Sequence, residues 1–480
     1  MKRLVKDIAI YGGGNLIFKF ISFAVFPIYA NLFSVEQFGV LALVSVSAAL
    51  IGTVLQLGIN NAIQRYYWDP DMLKERRPAL VSTGLAVLLL WSSLVTTLLL
   101  FGLHPFRGAL DQRYGIEWSF LVLALAANVP SLIITYGLDV LRLHFSPWWY
   151  SFVDGLRSVS GVALSLFFII ALDQGLLGLF AGQILAFTLV MPLSLWLIRK
   201  ELRWEFDFGF VREIVRFGYP FVFTGLAYWV FSSMDRWLLG ELSDNTSVGL
   251  YSIAYSFAGV LTFVTTAFAQ AWSPFAIKLY AEDPDYRNKI SRLFSYWFFG
   301  LALIGLAISL FGYELLRLTT PEAYWPAATV LSVLAMGLVL MGTTQFTALG
   351  ISLERRTNLL STAAWAAAII NFLLNLVLIP EWGALGSGTA TLVAYAVLTG
   401  LYLYWAQKLH SLPLEARKLL FSLLIVLFAP LFSGFLNSFS WDIWVVMLKL
   451  LALGLVLLLG FATRTIKLSD IQRLSPKWVS

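Results

Sequence analysis

Lys19 stands near the middle of an apolar run over residues 8–33, and Asn15, Ser22 and Phe26 share its helical face. A cation at that depth in hydrocarbon is costly unless it meets a water-filled cavity or a partner. The strip therefore predicts either a site for an anionic group or a buried structural ion pair. Snorkelling explains it less well, because about ten residues, roughly 15 Å of helix, separate Lys19 from either interface. The glycines at 12–14 would let the helix bend or pack closely.

Other polar residues inside apolar runs are fewer. Arg65 and Lys278 fall at equivalent places near the ends of the second and eighth runs, where they read as interfacial anchors or as a basic vestibule drawing in an anion. Asp154 and Arg157, three apart, predict an intrahelical ion pair or a gate. Asp235 and Arg236 near the end of the seventh run read as an outer gate or as interfacial charges. Asn371 and Asn375 predict interhelical hydrogen bonds, Asn128 before Pro130 a kink, and Lys449 a snorkelling side chain.

The elements that would position these residues are membrane helices. The chain of 480 residues is 59% hydrophobic and 12% charged, against roughly 25% charged residues in soluble domains. At about 20 residues per span, the runs give about fourteen spans: 8–33, 38–66, 79–102, 117–142, 147–171, 176–198, 212–239, 248–278, 291–313, 325–352, 357–379, 384–408, 414–437 and 442–463. The turn Ser34-Val-Glu-Gln-Phe38 would join the first two. Of the 33 lysines and arginines, Arg107, Arg113 and Arg317 are alone on the loops of one side. Lys19, Arg157, Arg236 and Lys449 lie in spans or at their ends, and the rest occupy the other side. The positive-inside rule then makes both termini cytoplasmic and the protein a multi-pass protein of the inner, plasma membrane.

With no cysteine and with His104, His144 and His410 scattered, no metal site, cofactor or catalytic residue is expected. The net charge of +6 is mostly the topological bias, with contact to anionic membrane lipids and not to nucleic acid. The chain also repeats. Gly39 recurs as Gly249 at an offset of 210, Gly175 and Gly178 recur as Gly383 and Gly386 at 208, and Ile8-Ala-Ile-Tyr-Gly12 echoes Ile214-Val-Arg-Phe-Gly218. The reading is an all-α integral membrane protein of two six-helix bundles, 1–198 and 211–410, joined by a cytoplasmic linker, 199–210. Two additional helices and a tail, 411–480, follow. Such parallel repeats are related by an axis along the membrane normal.

Several stretches together resemble the Wzx-type, oligosaccharidyl-lipid branch of the polysaccharide-export flippases, within the superfamily that includes multidrug antiporters and lipid II flippases. They are Asn31-Leu-Phe-Ser-Val-Glu-Gln-Phe-Gly39, Gly58-Ile-Asn-Asn-Ala-Ile-Gln-Arg65, Arg216-Phe-Gly-Tyr-Pro220, Asp235-Arg-Trp-Leu-Leu-Gly240 with Val248-Gly-Leu-Tyr251, and Asn371-Phe-Leu-Leu-Asn-Leu-Val-Leu-Ile-Pro380 with Gly383-Ala-Leu-Gly386. The resemblance implies alternating access around a cationic cavity. An oligosaccharide linked to undecaprenyl pyrophosphate would pass from the cytoplasmic to the outer leaflet, with polysaccharide polymerase machinery as a candidate partner.

Lys19 sits where the lipid II members carry a basic residue. Here the second and eighth spans are uncharged until Arg65 and Lys278, which favours an O-antigen, capsule or other surface glycan over lipid II. The last two helices would offer a groove to the polyprenyl tail, or serve plain packing. Two rivals remain: a multidrug or cation antiporter of the same superfamily, which would want acids deep in the cavity, and a membrane glycan polymerase, which would want paired carboxylates or arginines in a sizeable outer loop.

Overall fold

The structure, a computed structural model, describes residues 25–463 apart from 145, 204, 355, 357, 438 and 440–442. The first expected span, with Lys19, Asn15 and Ser22, thus falls largely outside the described residues. Among the described residues there are helices and no strand. Ten helices are long and apolar enough to span a membrane, or twelve when each of two bent pairs counts as one span. The expected count of fourteen is not reached within the described residues.

Packing divides the chain into two compact units, one of residues 1–240 with 244–249 and the other of 241–243 with 250–480. The repeat offsets place their boundary earlier, at 199–210, so the seventh run packs with the first unit.

The first unit contains α1 (Val35–Gln56), α2 (Ile59–Tyr67), α3 (Arg77–Leu103), the short α4 (Arg107–Tyr114), α5 (Trp118–Leu143), α6 (Pro147–Ile170), α7 (Gly175–Leu197) and α8 (Phe208–Leu242). The expected turn over residues 34–38 is mostly helix, for a local reason. Ser34 Oγ accepts the Gln37 N–H at 3.2 Å and Gln37 Oε1 accepts the Ser34 N–H at 3.0 Å. This reciprocal cap starts α1 at Val35.

The second expected span is broken in two, because Leu57 and Gly58 both adopt left-handed backbone with φ of 48° and 64°. At Gly58 a Cβ would lie 2.3 Å from the Gly218 carbonyl oxygen, so the close passage of α8 excludes any side chain there. The Trp229 indole N–H donates to the Val46 carbonyl at 2.8 Å and ties α8 to α1 a second time. Helix α5 runs through Pro130 as one element, and Asn128 donates to the Ala48 carbonyl of α1 at 3.1 Å.

The linker after α7 is docked on the start of α3. The Arg203 and Asp207 N–H groups donate to Ser82 Oγ and Thr83 Oγ1 at 2.8 and 3.1 Å, and Arg76 reaches Asp207 at 2.6 Å. The Gly209 N–H first, and then the Arg76 guanidinium, hold the Asp207 carboxyl below the usual carboxylate range. A depressed carboxyl contributes stability that is present above its unfolded pKa, about 3.9, and is lost as pH falls through the folded value. Asp207→Asn is expected to speed proteolytic cleavage of the linker at neutral pH, and the difference from the parent protein should vanish under acid conditions.

The second unit is built on α9 (Asn245–Ala258), whose first residues belong to the first unit, α10 (Val260–Glu282), α11 (Tyr286–Thr319), α12 (Ala327–Gly342), α13 (Asn358–Leu409), α14 (Ala416–Asn437) and α15 (Ile443–Ala462). Helix α12 is buried almost throughout. After it the chain makes two short helical turns, Thr344–Thr347 and Leu349–Leu353. Helix α13 is interrupted at Gly383, whose φ of 51° and ψ of −128° separate the expected spans 357–379 and 384–408. Asn371 Nδ2 reaches Thr391 Oγ1 across that break at 3.4 Å, and Asn375 donates back to Asn371 Oδ1 at 3.0 Å.

The last two helices pack on α11. Ser433 Oγ donates to the Ser309 carbonyl at 2.5 Å, Ser309 Oγ donates to the Ala429 carbonyl at 3.2 Å, and Gly460 lies against the Phe299 ring. Lys449 does not snorkel as expected. It is 1% exposed, and its Nζ donates to Glu314 Oε1 of α11 at 2.6 Å and to Asn437 Oδ1 of α14 at 2.7 Å. A carboxylate within reach inside the unit stabilises the ammonium better than a bent path to the interface would.

Candidate functional site

The break at Leu57–Gly58 turns α2 so that Asn60 faces α5. Asn60 is buried, and its Nδ2 donates to Asp139 Oδ2 at 2.6 Å while its own Oδ1 has no partner. Asp139 Oδ1 lies 3.3 Å from Arg142, which donates to the Tyr150 hydroxyl of α6 at 2.8 Å with its guanidinium over the ring. Farther along, Arg157 of α6 donates to Thr135 Oγ1 of α5 at 3.2 Å and to Asp154 Oδ1 at 2.6 Å.

The arrangement is a polar seam between two antiparallel helices. Thr135, Asp139 and Arg142 on α5, and Tyr150, Asp154 and Arg157 on α6, follow the same i, i+4, i+7 spacing, so each triplet forms one stripe. Every cation in the seam has an acid or hydroxyl partner. Two carboxylates balance two guanidiniums across it, so it fixes α5 against α6 and offers no bare cation to a ligand.

The residues expected to form the site are spread out. Lys19, Asn15 and Ser22 lie outside the described residues. Arg65, at the end of α2, is exposed and bridges to Asp69 at 2.7 Å. The Asp71 N–H first, and then Arg65, hold the Asp69 carboxyl below its usual range. Lys278 at the end of α10 is exposed, 3.8 Å from Glu282. Asp235 and Arg236 on α8 are both buried, 3.7 Å apart, and Arg236 also donates to the Ser232 carbonyl at 3.2 Å. Asp154 and Arg157 form the short bond of the seam.

Sequence reading passed over Asn60, Asp139, Arg142 and Glu314. The signal was there for Asp139, an acid within the run 117–142 that demands a partner by the argument applied to Lys19, whereas Glu314 stands one residue past the run 291–313 and reads as an interfacial acid. Asn60 carries no such signal, because only the broken helix aims it at Asp139. Among the described residues no group of three or more histidine, aspartate or glutamate side chains could hold a metal ion.

Known proteins fit this framework. The sequence profile of the family described as polysaccharide biosynthesis protein matches residues 4–280, more than half of the chain. The probable flippase AglR of Haloferax volcanii is 25% identical over 418 residues, covering 82% of this chain and 81% of that protein. The Lsg locus putative protein 1 of Haemophilus influenzae is 23% identical over 282 residues, 57% of this chain and 66% of that protein. In fold, the chain is similar to the lipid II flippase MurJ in an inward closed conformation, with a TM-score of 0.73 at 14% identity over 94% of this chain and 98% of that one. It is also similar to an inward-facing multidrug resistance MATE family transporter of the MOP superfamily, with a TM-score of 0.63 at 14% identity over 83% and 94%. A profile match of that extent, on an all-helical membrane chain whose fold is shared with transporters, shows that this chain belongs to the polysaccharide biosynthesis protein family.

Proposed function

We propose that the protein is a flippase that moves a polyprenyl-pyrophosphate-linked oligosaccharide from the cytoplasmic to the outer leaflet for assembly of a cell-surface polysaccharide. The observation that carries this reading is the family match over residues 4–280, which includes Lys19, joined to the alignment with a probable flippase over most of both chains. The chemistry supports it. An ammonium in the first span would meet the pyrophosphate, and Arg65 and Lys278, exposed and only loosely held by surface acids, would attract the anion before it enters. Surface pairs of this kind are worth about 0–1 kcal/mol, so a dianionic headgroup competes with them readily.

No nucleotide-binding P-loop is present in the sequence, so transport draws on an ion or membrane potential, or on removal of the product outside. The last two helices would hold the polyprenyl tail. Deleting residues 414–480 together with Glu314→Leu, which removes the acid that Lys449 pairs, should then leave an inserted protein with lowered flipping.

The first span tests the reading. In a strain lacking this protein, Lys19→Ala is expected to abolish surface glycan and leave lipid-linked precursor in the cytoplasmic leaflet, at normal protein level. Lys19→Arg should keep part of the export. Normal export by Lys19→Ala would make Lys19 structural, and drug resistance without any glycan phenotype would favour the antiporter reading.

A further inference from the structure

At one end of each unit, helix ends meet on a histidine. In the first unit His144 follows α5. Its Nε2 is 3.2 Å from the Tyr67 hydroxyl at the end of α2 and 3.4 Å from Oε1 of Glu201, in the turn after α7. The Tyr67 ring meets the imidazole edge-on at 5.8 Å, and Arg77 from the start of α3 lies over Tyr67 at 4.9 Å. One turn back on α5, Asp139 and Arg142 are engaged with each other, Asn60 and Tyr150.

In the second unit His410 follows α13 and is 6% exposed. Its Nδ1 is 2.9 Å from Oε1 of Glu354, after the turn Leu349–Leu353, and its Nε2 is 2.8 Å from the hydroxyl of Tyr286 at the start of α11. Tyr280 at the end of α10 supplies a ring edge at 5.8 Å, and Arg287 Nε donates to the Tyr286 hydroxyl at 3.0 Å.

The repeat relates the two clusters in an informative way. Glu354 stands 210 residues after His144, and His410 stands 209 after Glu201. Both fall within the 208–210 offsets of the internal repeat, so the histidine of each unit occupies the carboxylate position of the other. Tyr67 and Tyr280 are 213 apart and face the imidazole in both. A packing demand for one side-chain shape at one place would not survive such an exchange. A demand for one imidazole and one carboxylate, in either order, would.

We propose that each cluster is an acid-responsive clasp, in which protonation of the histidine tightens the hold between the basic-loop ends of the helices in its own unit. A neutral imidazole makes ordinary hydrogen bonds here. An imidazolium donates from both nitrogens, which at His410 serves Glu354 and Tyr286 together, whereas at His144 Nε2 alone faces both Tyr67 and Glu201; in each cluster the bond to the carboxylate becomes charge-assisted, roughly twice as strong.

The test is thermal unfolding of the full-length, detergent-purified chain between about pH 5.5 and 8, which brackets the ordinary histidine pKa near 6.5. The parent protein is expected to gain thermal stability as pH falls. His144→Gln or His410→Gln should each lose about half of that gain, and the double variant nearly all of it, because distant sites act additively. His144→Glu puts two carboxylates face to face and should lower the midpoint most at pH 8. Adding Glu201→His to it restores the pair in the order found in the second unit, and the parent profile with it. An exchange variant no better than His144→Glu, or a double glutamine variant with the parent pH profile, would overturn the proposal. The glutamine variants keep size and hydrogen bonding, so they decide the matter even where the glutamate variant does not fold. Unfolding is read without substrate, so failure here leaves the transport reading untouched.

Discussion

Lys449→Ala is expected to destabilise the second unit by about 3–5 kcal/mol, the penalty for leaving one member of a buried ion pair without its partner. The ammonium is 1% exposed and joins three helices, with Glu314 on α11, Asn437 on α14 and itself on α15. Glu314 Oε2 already has no hydrogen-bond partner, so losing Lys449 would leave both oxygens of a buried carboxyl unsatisfied. The expected signature is a lowered unfolding midpoint in detergent and a reduced chain level in the membrane. The compensated variant, Lys449→Met with Glu314→Leu, should recover most of the loss, since removing both charges also removes their desolvation cost. A single variant as stable as the parent would mean that the pair is weak and that serine and glycine packing alone holds the last two helices.

Gly39→Ala carries a comparable expectation on packing grounds. A Cβ there would lie 2.0 Å from the Asn245 carbonyl oxygen, and one at Gly249 would lie 2.0 Å from that of Val35. The obstacle is backbone in both cases, so no side chain can rotate away, and the cost should exceed the roughly 1–3 kcal/mol usual for overpacking. The two glycines are equivalent positions of the repeat, and they pack against each other. Changing both at once should cost less than the sum, since one displacement of the helices relieves both clashes. Gly454→Ala supplies the control: nothing lies within 4 Å of a Cβ there, and alanine favours the helix, so the variant should be neutral or slightly stabilised. Equal behaviour of Gly39→Ala and Gly454→Ala in detergent unfolding would defeat the close-approach argument.

Much of the architecture was legible because a bilayer imposes a single strong rule. Long apolar runs must be helices. The breaks were not legible. Residues 38–66 read as one span because Leu57 is as apolar as its neighbours, and only the approach of Gly218 to Gly58 shows why the chain turns left-handed there. An ion pair was legible where two opposite charges stand three apart in an apolar run, as with Asp154 and Arg157. It was misread where the partner lies far along the chain. Lys449 looked like a lysine near an interface because nothing close in sequence shows that Glu314, on another helix, faces it. His144 and His410 looked scattered for the same reason, being 266 residues apart in sequence and each defined by a carboxylate on a different element.

The interrupted helices carry one further consequence. Where α1 breaks, the Trp91 indole donates to the Val54 carbonyl at 3.1 Å. Where α12 ends, Trp297 donates to the Gly342 carbonyl at 2.9 Å, and Trp272 does the same for Gln345 in the short turn beyond. Carbonyls released from a helical ladder inside a bilayer must find a donor, and water is the common one. At these three places the protein's own indole groups supply that donor, so the chain turns inside the apolar layer without leaving these carbonyls bare.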